Sequence, residues 1–400
     1  MSANPPPAVP THIVWDQSML AYNFGPHHPM NPVRLDLTAR LAGEFGLFAR
    51  PNVTLVASRI ATDQELQTVH DADYIAAVHR VSDDPSTPDE ARGLGTEDDP
   101  AFAGMHEASA RLAGASLQAA DAILSGAALH AVNFGGGMHH AARDRASGFC
   151  IYNDCALAIR RLLDNGVQRV LYLDVDAHHG DGTQNIFWDD PRVMTISLHE
   201  SGMHLFPGTG YANEVGGPAA LGSAVNVAVP PRTGDAAWMR AFHAVVPQLT
   251  RAFRPEVIVS QHGCDGHARD VLSSLRLSVD AQRQMMLDVA QLAREVSGDR
   301  WLATGGGGYD VYDTVPRSWT HLLAIASGQP LPLDAKLPQA WRDHARARSG
   351  REGPQLMGDG AELWWRSWEV GYDPNDAMDR TVMATRKEVF PYHGLDPWFD

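Results

Sequence analysis

The chain has 400 residues, 44% hydrophobic and 20% charged, with a formal net charge of −16. That supplies apolar material for a large core, and it excludes a nucleic-acid backbone as the main partner, because phosphate binding leans on clustered Lys and Arg. Cys150, Cys155 and Cys264 set no disulfide framework, and neither a basic-then-apolar leader nor an apolar run of about 18 residues occurs, so a cytoplasmic protein without a membrane partner is expected.

The chain opens with MSANPPPAVP, whose prolines at 5, 6, 7 and 10 predict a flexible, extended leader over residues 1–12. Residues 12–15 read as a short strand. In GPHHPMNPVR, residues 25–34, Asn31 can cap a helix with Pro32 in its first position and Leu35, Leu41 and Phe45 turned inward. Arg34 then falls in the first turn, where a cation opposes the helix dipole, and by itself it reads as a surface residue. Thr62 and Glu65 form a capping box before Leu66, Val69, Ile75 and Val78, with His70 and Asp71 read as a pair on that helix's surface. Residues 82–104 are rich in Pro, Gly and acids and read as a long loop. Residues 105–124 have helical spacing, closed by Gly126.

Residues 129–134 form a strand pattern that runs directly into GGGMHHA, residues 135–141. Glycines allow close approach of backbone to a ligand, and a pair of histidines follows at once. SGFC at 147–150 leads through Asn153 and a candidate cap at Asp154 into a helix that ends near Asn165 and Gly166. The densest stretch is RVLYLDVDAHHGDG, residues 169–182: Val170, Leu171, Tyr172, Leu173 and Val175 read as a buried parallel strand. Asp174, Asp176, His178, His179 and Asp181 crowd its carboxyl end, where open α/β sheets bind ligands. Asp174 and Asp176 alternate and so share a face, and like charges that close need a cation or a proton between them.

Residues 193–199 give another strand, followed by a loop with Leu205 and Phe206, and residues 225–229 a further one. A helix through Trp238, Phe242, Val245 and Leu249 contains Pro247, which is expected to kink or break it. The apolar run 256–260 empties into QHGCDGHARD, which carries His262, Asp265, His267 and Asp270. Residues 278–296 are a helix, 301–304 a strand ending in GGGGYD at 305–310, and Pro316 begins a helix through Trp319, Leu322 and Leu323. Past Gly328 prolines and tryptophans become dense, which predicts short helices laid on the domain.

The alternation predicts an α/β fold, a single domain with a central parallel sheet and helices on both faces. Four strand ends offer GGG-His-His, Asp-x-Asp-x-His-His-Gly-Asp, Gly-Cys-Asp-Gly-His and GGGG-Tyr. In this order they resemble the histone deacetylase family, class I-like, and most closely its bacterial acetoin-utilisation branch. The resemblance implies an arginase/deacetylase-like domain over residues 13–328 and leaves 329–400 as an extension packed on it.

It also implies hydrolysis of the amide of acetyl-lysine, with Asp176, His178 and Asp265 as ligands of one catalytic Zn²⁺; carboxylate-rich ligation also admits Fe²⁺. His140 matches the family's general base, His139 the group that stabilises charge beside it, and Asp181 and Asp174 the carboxylates that orient His140 and His139. Tyr309 matches the phenol that stabilises the oxyanion. Phe149 and Phe206, with Gly148 beside them, match the walls of a tunnel for the acyl-lysine stem, and Asp98 the rim acid, with Asp99 as its neighbouring alternative. Arg34 matches an arginine of the internal cavity under the site. A structural K⁺ is implied at Asp174, Asp176, His178, Ser197 and Leu198, the last through backbone oxygen. The chain departs from the family pattern at Asp270-Val271-Leu272, where Asp-Pro-Leu is usual, and at Asp310, where Asn commonly follows the tyrosine; both bear on loop shape and acyl preference. Other readings of these motifs are a small-molecule acetylpolyamine amidohydrolase, a binuclear Mn²⁺ ureohydrolase, and a non-catalytic acyl-lysine-binding protein. The last should have lost a ligand, the base or the tyrosine, and all are present.

Overall fold

The computed structural model describes residues 9–400. Its strands are β1 (Thr11–Val14), β2 (Val53–Val56), β3 (His130–Asn133), β4 (Val170–Asp174), β5 (Val193–Glu200), β6 (Ala224–Val229), β7 (Val257–Gln261) and β8 (Trp301–Thr304). They form one sheet in the order β2-β1-β3-β8-β7-β4-β5-β6, and every neighbouring pair is parallel. Every residue of β3, β4, β5, β7 and β8 is buried. Helices on both faces remove the solvent side, so these strands carry continuous rather than alternating apolar runs.

The helices are α1 (Val33–Glu44), α2 (Asp63–Leu66), α3 (Ala72–Asp83), α4 (Met105–Leu124), α5 (Asp154–Asp164), α6 (Asp181–Ile186), α7 (Asp235–Phe253), α8 (Val279–Val296), α9 (Thr314–Ala326), α10 (Gln339–Ser349) and α11 (Ala377–Val389). On one face α4 lies over β1, β3 and β8 and pairs with α5, which lies over β4 and β7. On the other, α9 lies over β3 between α1 and α8, and α7 follows over β5. The three cysteines are free and buried. No helix among the described residues is long and apolar enough to cross a membrane.

Several local readings change. Residues 1–8, with Pro5, Pro6 and Pro7 of the expected leader, lie outside the described residues, and β1 already starts at Thr11, inside the stretch 1–12. The capping box at Thr62 is present, but its helix stops at Leu66 and α3 starts anew at Ala72. His70 falls in the gap and is buried rather than on a helix surface, with its Nε2 accepting the Asn153 N–H at 3.0 Å. α7 runs without a break through Pro247 to Phe253, held along its length by β5, α8 and α11, so packing outweighs the lost hydrogen bond. Pro316 sits in the first turn of α9, which starts earlier at Thr314; an N–H there would have no helical partner anyway. β2 was not legible as a strand: it is a partly exposed edge of four residues.

The tail is tied to the domain at three places. Trp341 of α10 is buried on α1 and donates from Nε1 to the Leu37 carbonyl at 2.9 Å. α11 sits on β6 and α7, where Arg240 pairs with buried Asp379 at 2.5 and 2.7 Å. Asp359 accepts hydrogen bonds from His267 Nε2 at 2.9 Å, Arg317 Nη1 at 2.8 Å and the Val279 N–H at 2.8 Å. Trp364, by contrast, is 72% exposed.

Candidate active site

The four strands that end in motifs, β3, β8, β7 and β4, are contiguous in the sheet although scattered along the chain. Because they are parallel, their carboxyl ends open on the same edge, and the segments that follow are forced together there.

At the centre, His178 Nδ1 lies 3.0 Å from Asp176 Oδ1 and 2.9 Å from Asp265 Oδ2, and all three residues are buried. Each carboxylate is aimed by its surroundings: the Ala177 N–H donates to Asp265 at 2.8 Å, and Gly307 N–H and Gln261 Nε2 donate to Asp176 at 2.8 and 2.7 Å. Burial, and then the charge of Asp176, push the Asp265 carboxyl up. Burial opposes charge on His178, but the two carboxylates outweigh it and push the ring well up. Two buried like charges demand a positive charge between them. The space is kept by Gly307, where a Cβ would lie 2.1 Å from Asp265 Oδ2 and 2.9 Å from Asp176 Oδ2. Two carboxylates and one imidazole, with donor atoms within 4.8 Å of one another, fit a divalent ion.

Beside this cluster stand His139 and His140, delivered by the glycine run after β3. Asp154 holds that run by accepting the N–H groups of Gly137 at 3.0 Å and Met138 at 2.7 Å, while Asn153 caps α5. His139 Nδ1 bonds Asp174 at 2.7 Å, His140 Nδ1 bonds Asp181 at 2.7 Å, and the two Nε2 atoms are 3.0 Å apart. Burial works against charge on His139, but Asp174 and Asp176 outweigh it and push it up to about 9. Burial, then the charge of His139, push His140 down to about 4 against the pull of Asp181. The surroundings thus favour charge on His139 and a neutral His140, whose Nε2 then carries a lone pair. Tyr172, two residues before Asp174 on the same strand face, also donates to Asp174, at 2.7 Å.

The His140 ring is 5.9 Å from that of His178 and 5.0 Å from that of Phe206, and Phe149 meets Tyr309 edge-on at 5.7 Å. Gly148 lies between, so close to His140 that no larger residue fits. Burial, then Asp265, push the Tyr309 phenol well up, leaving it a hydrogen-bond donor. Asp270 accepts the Tyr309 N–H at 2.8 Å and the Leu272 N–H at 2.9 Å, and Asp310 accepts Thr314 Oγ1 at 2.8 Å. Of the two departures from the family pattern, Asp310 is thus a loop anchor, whereas Val271 lies exposed between the bonded Asp270 and Leu272. His28, from the GPHHP stretch, packs against Phe149 at 4.5 Å and contacts the Asp98 carbonyl at 3.2 Å. Asp98 is exposed and Asp99 buried.

Arg34 is buried, contrary to its isolated reading as a surface residue. Its Nη1 donates to the carbonyls of Gly306 at 2.8 Å and Gly308 at 3.2 Å, and its guanidinium lies 5.0 Å from the Trp319 ring centroid. Asp174 pairs with Ser197 across β4 and β5, with Leu198 next and buried. His199 bonds the Gly210 carbonyl through Nε2 at 2.9 Å, so its Nδ1 accepts from Ser197 Oγ at 2.8 Å, and the Ser197 oxygen keeps lone pairs for a cation. The parts that Gln261, Tyr172, Asp154 and His28 play in the site were not read from the sequence; only Tyr172, by its i, i+2 relation to Asp174, carried a signal.

A histone deacetylase domain model matches residues 28–326. The chain is 40% identical over 348 residues to the acetoin utilization protein AcuC of Bacillus subtilis (strain 168), which spans 83% of this chain and 89% of that one. It is 40% identical over 392 residues to the AcuC of Staphylococcus aureus (strain MSSA476), spanning 98% and 97%. Its structure matches that of an HDAC homolog from Aquifex aeolicus with a TM-score of 0.81 at 29% identity, over 94% of this chain and 99% of that one.

Proposed function

The chain belongs to the histone deacetylase family, and from that membership we propose that it is a cytoplasmic lysine deacetylase, hydrolysing the acetyl amide of lysine side chains in proteins. The observation that carries the reading is the meeting of the Asp176, His178 and Asp265 cluster with a histidine pair, each of whose members is bonded through Nδ1 to a carboxylate of its own. A Zn²⁺ ion held by Asp176, His178 and Asp265, or Fe²⁺ on the same donors, would supply Lewis acidity toward a water and the acyl oxygen.

The chain's own residues supply the rest. His140 Nε2 takes the proton of the attacking water and returns it to the lysine nitrogen as the amide bond breaks. His139, kept cationic by Asp174, stabilises the negative charge beside it, and Asp181 holds His140 in the tautomer with hydrogen on Nδ1. The Tyr309 hydroxyl donates to the acyl oxygen as charge builds there. Phe149, Phe206 and Gly148 flank the acyl-lysine stem and keep water from it, and Asp98 meets the substrate backbone at the rim. Arg34 underlies the site, where released acetate would find a cation. K⁺ belongs at Asp174, Asp176, His178, Ser197 and Leu198, next to the carboxylate that orients His139. Residues 13–328 form the catalytic unit and 329–400 brace it.

The test is acetate release by the metal-loaded chain from acetyl-lysine peptides and, in parallel, from acetylated polyamines. Turnover of peptides that His140→Ala abolishes supports the proposal. Cleavage of polyamines with inert peptides replaces it with a small-molecule amidohydrolase.

A further inference from the structure

Outside the active site, a second group of side chains converges from three helices. Asp63 opens α2, His79 lies in the last turns of α3, and His106 in the first turn of α4. His79 Nε2 lies 3.1 Å from each oxygen of Asp63. His106 is 6% exposed, and its Nε2 faces the same carboxylate at 3.8 Å from Oδ1, beyond hydrogen-bonding distance. The two imidazoles stack with centroids 3.6 Å apart and planes 26° from parallel. Two stacked imidazolium ions would repel, so the two rings, both turned edge-first on a shared carboxylate, are not charged together.

From this juxtaposition the geometry points to a second metal site, in which His79 Nε2, His106 Nε2 and an Asp63 oxygen bind one divalent transition ion of the Zn²⁺ class. Donors about 2 Å from one tetrahedral ion stand roughly 3.4 Å apart; the separations of His79 and His106 from Asp63, 3.1 and 3.8 Å, bracket that value, and the half-exposed His79 ring has room to turn out of the stack and bring its lone pair onto the ion. Two imidazoles and one carboxylate suit zinc, nickel or copper and not Mg²⁺ or Ca²⁺, which take oxygen donors. Binding needs both Nε2 atoms unprotonated and hydrogen on Nδ1. For His106 that hydrogen has its acceptor in place, the Tyr152 hydroxyl 3.1 Å from Nδ1, the kind of outer partner that orients a metal-binding histidine. Asp83 and Glu107 add negative charge nearby. The Asp63 and His79 side chains are 49% and 40% exposed, so an ion has an entry path and a water can complete its shell. An ion here would pin α2, α3 and α4 together, and through Tyr152 it would brace the segment that carries Phe149 three residues earlier.

The test uses the full chain, stripped with a chelator, equilibrated with Zn²⁺ and washed, with zinc counted by elemental analysis and binding followed by calorimetry. His79→Gln, alone and combined with Asp63→Asn, removes exposed donors and leaves His106 buried as it is. One zinc fewer per chain than wild type, and a smaller zinc-induced rise in Tm, are expected of both variants. Zinc content equal to wild type in the double variant overturns the assignment. Asp265→Asn, measured alongside, reports on the active-site cluster separately: a failure there leaves the difference at His79 and Asp63 intact, and the reverse holds as well.

Discussion

Gly148 gives the sharpest handle on how the tunnel wall positions the histidine pair. A Cβ at this residue would lie 2.4 Å from Cδ2 and 2.9 Å from Cγ of His140, and 2.9 Å from Cε1 of Phe206. Carbon atoms in contact prefer about 3.5 Å or more, so Gly148→Ala requires a shift of about 1 Å. His140 cannot yield freely, being held by Asp181 at 2.7 Å and by His139 at 3.0 Å. The φ of +56° at Gly148 adds a left-handed backbone penalty of about 1–2 kcal/mol for any residue with a Cβ. A misplacement of about 1 Å in a reacting group lowers the rate by about 10²-fold. Gly148→Ala is therefore expected to lower kcat/KM for an acetyl-lysine peptide by about 10²-fold, with a modest fall in Tm by circular dichroism. A folded variant with wild-type kcat/KM would refute the close approach of Gly148 to the base.

Tyr309→Phe keeps the ring against Phe149 and removes only the hydroxyl, so kcat should fall roughly 10²–10³-fold with KM little changed; an unchanged kcat means the phenol does not serve the acyl oxygen. Asp181→Asn leaves an acceptor for His140 Nδ1 but removes its charge, and a loss of roughly 10–100-fold in kcat/KM is expected with an unaltered melting curve. Burial opposes the charge of Asp359, but His267 and Arg317 outweigh it and hold its carboxyl well below the usual range. A depressed carboxyl stabilises fully above the unfolded value, about 4, and loses that contribution as pH falls below it. Asp359→Asn should therefore lower Tm at neutral pH, with the gap to wild type narrowing below about pH 4 in thermal melts; a constant gap contradicts this.

The parallel sheet and the four motif-bearing strand ends were legible because their residues are local: apolar runs of β-branched residues stop where glycines, histidines and acids begin. What was not legible depends on partners far along the chain. Arg34 looks like a misplaced surface cation until Gly306, Gly308 and Trp319 close around it, and nothing in VRLD announces those neighbours. His70 reads as a helix-surface residue because the capping box at Thr62 promises a longer helix, yet the helix stops at Leu66 and the imidazole turns in to the Asn153 N–H. Pro247 should break its helix by the local rule against helix-interior proline, and tertiary packing of α7 overrides that rule. Gln261 was hidden for another reason: its importance comes from sheet register, which puts it opposite Asp174 and within 2.7 Å of Asp176, and register between β4 and β7 is not written in either strand alone.

Whether turnover depends on an ion held by Asp176, His178 and Asp265 is tested most directly by following acetate release through chelation and metal restoration. Release from an acetyl-lysine peptide should fall to background in the stripped chain and return on adding Zn²⁺ or Fe²⁺, while Asp265→Asn stays silent at any metal concentration. Undiminished release by the stripped chain, or full activity of folded Asp265→Asn, would contradict it.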